Sequence, residues 1–179
     1  MSKYNSRIAR ARGFTLIEVM TAVVVFSIGL IGLGLLLTSA VRSNQVGFQH
    51  TQASFLAEAM LDRMRSNVRG IWAGNYNGTY SSATGTPTNQ CTNATPCRAA
   101  ELAQRDTWAW GRMIGNMLPG GSGTVLCTRT AGTPMPTAIQ MQTVPIYDGL
   151  CTITVAWTEK TEGNDAAGVA QQFQWVVQP

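Results

Sequence analysis

The residue whose surroundings call for chemistry is Glu18. It is the only charged side chain in residues 14–37, a run of 24 residues that is otherwise apolar or small. A carboxylate held in hydrocarbon costs roughly 2.5–3.5 kcal/mol on insertion scales, so an intramembrane acid needs a partner and marks function. No basic residue lies within two helical turns inside the run, and the counter-charge is therefore expected from outside this helix. The run opens directly behind Arg12-Gly13-Phe14-Thr15-Leu16-Ile17-Glu18.

Four cysteines, Cys91, Cys97, Cys127 and Cys151, form the second group, and they permit three connectivities. Local closure favours Cys91 with Cys97 and Cys127 with Cys151, in a compartment oxidising enough to keep them bridged. A four-thiolate zinc site is the competing reading. It is weakened by spacings of five and 23 intervening residues, which lack short zinc-knuckle pairs. No metal and no cofactor is expected.

The remaining chemistry is thin. The one histidine, His50, sits between Gln49 and Thr51 on a helical stretch and reads as solvated. No glycine-rich phosphate loop and no His/carboxylate metal motif occurs, and bridged cysteines leave no Cys/His nucleophile. Asp148, before Gly149, is a turn signal. Glu101, Asp106, Glu159, Glu162 and Asp165 read as surface or loop acids. No catalytic residue is assigned, and the chain is expected not to be an enzyme.

The elements that must position these groups follow from pattern. Residues 14–37 would span ~36 Å as a helix, enough to cross a bilayer core of ~30 Å. The helix is expected to continue through 38–69, which holds no proline and only Gly47 among glycines. There Ala53, Leu56, Ala57, Met60, Leu61, Met64 and Val68 fall on one face, and Glu58, Asp62, Arg65 and Arg69 on the other. Val41, Phe48 and Phe55 recur every seventh position on a separate stripe; they either pack on the head or stay as ordinary exposed surface, or, the favoured reading, meet neighbouring helices. Gly29, Gly32 and Gly34 would permit close helix packing or local unwinding.

Beyond residue 70 the composition shifts. Residues 71–96 read as a long irregular loop carrying Tyr76 and Tyr80. Residues 98–118 are helical in pattern, with Leu102, Trp108, Met113, Ile114 and Met117 the candidate buried set, and Pro119-Gly120-Gly121 stops them. Strands are predicted at 123–130, 138–144, 150–159 and 171–177. Alternation is clearest in Cys151, Ile153, Val155 and Trp157, repeated in Phe173, Trp175 and Val177. Cys127 is in phase with Val125 and Cys151 with Ile153, so both point at the core.

Charge adds topology. The chain has 13 basic and 9 acidic residues, but Lys3, Arg7, Arg10 and Arg12 all precede the apolar run. Removing those four leaves 9 basic against 9 acidic, so no nucleic-acid partner is expected. Four cations before the run place the N-terminus in the cytoplasm and the rest across the membrane.

A short basic leader followed by Gly13-Phe14-Thr15-Leu16-Ile17-Glu18 and an apolar helix resembles the processing site of type IV prepilins and pseudopilins. The resemblance implies cleavage between Gly13 and Phe14 by a prepilin peptidase, N-methylation of the new Phe14 amine, and pairing of Glu18 with the terminal amine of a neighbouring subunit. A secretory signal cut near Thr38-Ser39-Ala40 and a plain membrane anchor are the competing readings. The signal reading does not fit the length of the run or Glu18, and the anchor explains neither Gly13-Phe14 nor the acid.

The segment Leu56-Ala57-Glu58-Ala59-Met60-Leu61-Asp62-Arg63-Met64-Arg65-Ser66-Asn67, a head helix ending Leu118-Pro119-Gly120-Gly121, and Ile153-Thr154-Val155-Ala156-Trp157 together resemble the PilV branch of minor pilins. That resemblance implies an α+β fold in which a long N-terminal helix packs on an antiparallel sheet. The expected divisions are a cleaved leader at 1–13, a transmembrane half at 14–37, an amphipathic half at 38–69 and a head at 70–179. The implied partners are other minor pilins, the major pilin, the prepilin peptidase and the inner-membrane assembly platform. The expected place is the inner membrane with a periplasmic head, then the pilus, with adhesion or twitching motility downstream. Alternatives are a minor pseudopilin of type II secretion, a tip adhesin or DNA-uptake module using the Tyr76/Tyr80 loop, and, weakest, an anchored periplasmic enzyme.

Overall fold

The computed structural model describes residues 13–89, 91–159 and 168–179. The basic residues ahead of Gly13, with Glu162 and Asp165, lie outside them. The chain divides into two compact units, Met1–Gln45 and Val46–Pro179. Helix α1, Leu16–Ser66, contributes to both.

In the first unit Thr15 starts the helix. Its hydroxyl accepts from the Glu18 N–H at 3.4 Å and its carbonyl accepts at 3.1 Å. Placing Glu18 in the first turn sets an anion against the positive end of the helix dipole. Helix persists through Gly29, Gly32 and Gly34. The large apolar side chains from Phe14 to Leu37 are all exposed. This is one helix long and apolar enough to cross a membrane.

In the second unit α1 buries the face that periodicity marks out. Ala53, Leu56, Ala57, Met60, Leu61 and Met64 are buried, while Glu58, Asp62, Arg65 and Arg69 are exposed. At Ser66 the helix stops and restarts as the short α2, Val68–Trp72, with Asn67 between them. The Asn67 Oδ1 accepts from the Gly70 N–H at 3.3 Å, the side-chain cap that a restarting helix requires. Gly70 is fixed by crowding, because a Cβ there would lie 2.6 Å from the Asn67 Nδ2.

Strands β1, Gly78–Ser81, β2, Ser122–Arg129, β3, Gly149–Glu159, and β4, Val169–Val177, form one antiparallel sheet in that order. Helix α3, Ala99–Met117, opens with Glu101 accepting from the Arg98 N–H at 2.8 Å. On β3, Cys151, Ile153, Val155 and Trp157 all point into the core. Trp110 of α3 joins the layers, its Nε1–H donating to the Leu56 carbonyl at 2.8 Å. A side chain on Gly123 of β2 would run into Trp110 and Ile114, so α3 and the sheet meet there at backbone range.

Several expectations need correction. Residues 71–96 are not one irregular loop: Ile71 and Trp72 close α2, and β1 lies inside the stretch. Asn77 extends that short strand. Its Oδ1 accepts from the Cys127 N–H at 2.7 Å and its Nδ2 donates to the Cys127 carbonyl at 3.3 Å, a side chain replacing a rung of backbone. Residues 138–144 form no strand. A 3-10 turn occupies Gln140–Gln142, started by a reciprocal pair in which the Thr137 N–H donates to the Gln140 Oε1 and the Gln140 N–H to the Thr137 Oγ1. On α3 the inward face is Ala103, Asp106, Thr107, Trp110, Gly111 and Ile114, while Met117 is exposed and Trp108 only half-buried.

Candidate functional site

Glu18 stands one turn into α1, and Gly13 to Thr15 precede the helix in non-helical chain. Gly13 and Phe14 are exposed. Phe14, Glu18, Val19, Ala22, Val23 and Phe26 line a shallow groove along one side of the helix. No ion pair to Glu18 forms among the described residues. Glu18 is thus an exposed acid on an apolar surface, beside the point where the chain becomes helical.

Cys91 is bonded to Cys97 and Cys127 to Cys151, and no free cysteine remains. Cys127 and Cys151 face each other directly in the β2–β3 register. The four thiols are thus occupied in pairs rather than gathered into one tetrahedral set.

The head holds a charged constellation built on Asp106, which is not the surface or loop acid that its sequence context suggests. Asp106 is buried. Its Oδ2 accepts from the Tyr76 hydroxyl at 2.7 Å, and its Oδ1 lies 3.5 Å from the Arg63 guanidinium. The Asn67 Nδ2 donates to the Tyr76 oxygen at 3.1 Å and to the Ala99 carbonyl at 2.8 Å. Burial raises the Asp106 carboxyl above its ordinary range, against the Tyr76 hydrogen bond and the Arg63 charge, which lower it. Burial and the neighbouring Asp106 likewise raise Tyr76. The group ties α1, the α1–α2 joint, the chain before β1, and α3 together through polar contacts, with Tyr76, Asp106 and Asn67 buried and Arg63 partly exposed. A signal for it existed: Asp106 falls on the same helical face as Ala103, Trp110 and Ile114.

The same geometry turns the two tyrosine hydroxyls toward the protein. Tyr76 is fully buried, and the Tyr80 hydroxyl donates to the Tyr76 carbonyl at 2.9 Å. His50 is exposed but does not stand alone, meeting the Trp157 ring edge-on at 5.0 Å. Asp148 accepts from the Thr130 hydroxyl at 2.8 Å, consistent with a turn role.

Two family models match the chain. The prokaryotic N-terminal methylation motif matches residues 8–34, and the type IV pilin Tt1218 family matches residues 36–108. The chain belongs to the type IV pilin family. It is a structural subunit and not an enzyme, and the α+β layout of a long N-terminal helix on a four-stranded antiparallel sheet is that of a type IV pilin. No curated protein and no solved structure matches it. The pilin's methylation motif together with its apolar helix supports anchoring in a membrane, and family membership implies assembly with other pilins and the pilus machinery.

Proposed function

We propose that this pilin is a minor, PilV-like subunit that helps initiate type IV pilus assembly and sits at or near the tip. The observation that carries the assembly reading is Glu18, an anion on an exposed apolar helix with no cation beside it among the described residues. Prepilin peptidase cuts between Gly13 and Phe14, a bond exposed ahead of the helix, and the Phe14 amine is then methylated. That amine, carried by one subunit, meets Glu18 of the next. In a low-dielectric setting an unpaired carboxylate is costly, so the pairing sets the register of neighbouring helices.

The N-terminus begins in the cytoplasm, the single span crosses the inner membrane and the head lies in the periplasm before entering the pilus. Phe48 and Phe55 remain 61% and 52% exposed on the head's part of α1, which suits contact with other pilin helices. The minor role rests on the PilV-like segments at 56–67, 118–121 and 153–157. Other minor pilins, the major pilin and the inner-membrane assembly platform are the partners, and adhesion or twitching motility follows from the filament.

The test is N-terminal sequencing of the mature chain together with the Glu18→Ala variant. A methylated Phe14 start, and loss of the variant from pilus fractions with normal amounts in the membrane, are the expected results. Undiminished incorporation of Glu18→Ala overturns the pairing. Normal pili with lost protein secretion on deleting the gene assigns the chain to a secretion pseudopilin instead.

A further inference from the structure

The two edges of the sheet are finished differently. At one side β1 is only four residues long, and α3 packs directly on it: a side chain on Gly111 would collide with the backbone of Ser81. At the other side β4 runs nine residues and pairs with β3 without a break, from Glu159 opposite Val169 to Cys151 opposite Val177. Among the described residues no backbone hydrogen bond is made on its far side. Long open edges are normally blunted by lysine, proline, a bulge or a covering element. β4 reads Val-Ala-Gln-Gln-Phe-Gln-Trp-Val-Val, with no charge, no proline and no bulge.

The packing beneath that edge is also incomplete. On β3 the inward residues Cys151, Ile153, Val155 and Trp157 are buried, but their neighbours on β4, Val177, Trp175, Phe173 and Gln171, are each only half-buried. The row therefore has covered members on one strand and a flank open to one side on the next. An added strand would satisfy the unpaired N–H and C=O groups and lay its own inward side chains beside Phe173 and Trp175.

We propose that the free edge of β4 receives an extended, uncharged segment of a different pilin subunit, which joins the sheet as a fifth strand. Main-chain pairing requires an extended occupant, and a strand without charges of its own offers nothing to a charged one. Copies of this chain are poor occupants. Head-to-tail pairing of copies would need the opposite edge, where β1 is short and packed against α3, and β4 against β4 would use up both open edges in a closed pair, leaving neither for the other pilins with which the chain assembles. The inference rests on the chain acting as a subunit of a pilin assembly and not on its initiating role.

The test places a photo-cross-linking phenylalanine at Gln174 or at Phe48 in the full-length chain in cells, and follows amide exchange in the purified complex. Expected are a light-dependent adduct from Gln174 to a different pilin, and at least tenfold slower exchange at alternate amides of Val169–Val177 in the complex than in the free chain. Alternation is the signature of strand pairing, since contact across a sheet face does not select every second amide. An adduct from Phe48 alone overturns the strand pairing and leaves assembly standing. A Gln174 adduct joining two copies of this chain overturns the choice of partner. Adducts from neither position overturn the assembly reading on which the inference rests.

Discussion

The Tyr76 hydroxyl donates to the buried carboxylate of Asp106 at 2.7 Å, and it is this bond that joins the chain leading into β1 to helix α3. Removing one member strands the others. Tyr76→Phe keeps the ring in place but leaves Asp106 and the Asn67 Nδ2 each short of a partner. Unsatisfied buried groups cost roughly 1–3 kcal/mol, more when charged. Thermal unfolding of the full chain in detergent is expected to show a clear loss, larger than that from Tyr80→Phe, whose half-buried hydroxyl meets the Tyr76 carbonyl and Thr107 but no buried charge.

Acid titration separates two carboxylates. Asp106 is raised by burial from the ordinary 3.8, so the folded chain binds its proton more readily than the unfolded chain. Its contribution therefore falls as pH rises from 3.8 through the raised value and is constant above it. Asp148 is lowered by hydrogen bonds from Thr133 and Thr130, and its contribution is lost only as pH falls below 3.8 through the depressed value. Asp106→Asn, which mimics the protonated form, is expected to flatten the stability profile above pH 3.8 and leave the lower limb intact. Denaturation curves across this range, with Asp148→Asn as the complementary variant, check the assignment.

Glycine replacements have opposite signs at two sites. A Cβ at Gly123 runs into Trp110 and Ile114, whereas one at Gly47 on α1 meets nothing within 4 Å. Gly123→Ala is expected to destabilise by about 1–3 kcal/mol through overpacking. Gly47→Ala is expected to stabilise by about 0.5–1 kcal/mol, the ordinary gain of alanine over glycine inside a helix. Paired unfolding measurements test both, and equal effects would remove the close α3–sheet contact as the reason for glycine at 123.

These sites also show what pattern alone can carry. The buried face of α1 and the alternation in β3 and β4 were readable because each is set by a simple period and a two-sided environment. Strand β1 was not, since it has only four residues and Asn77 supplies a rung through its side chain, which no alternation reports. On α3 both Trp108 and Trp110 look apolar. Only Trp110 turns inward, while Trp108 lies under the Arg112 guanidinium, 5.6 Å from its ring centre. Thr137 and Gln140 carry the spacing of a helical start, and the apolar residues around them concealed it. Glu18 was conspicuous because a single charge contradicts everything beside it. Asp106 was not, because an acid on an amphipathic helix is unremarkable until Tyr76 and Arg63 arrive from elsewhere in the chain.

The two disulfides should differ in what they hold. Cys91 and Cys97 are six residues apart in a half-exposed loop, whereas Cys127 and Cys151 are 24 apart and join the central strands in the core. Chain-entropy reasoning assigns about 2 kcal/mol to the short closure and about 3 kcal/mol to the longer one. Replacing Cys151, which is fully buried, also removes core packing, so the real difference should be wider. Cys91→Ser/Cys97→Ser is expected to lower the melting temperature modestly and leave the head folded. Cys127→Ser/Cys151→Ser is expected to cost more and to raise protease sensitivity within β2 and β3. Both double variants leave no unpaired thiol, so differences between them report the bridges and not stray oxidation. A short-loop variant that is the less stable of the two would show that residues 91–97 hold the head together more than the central strand pair does.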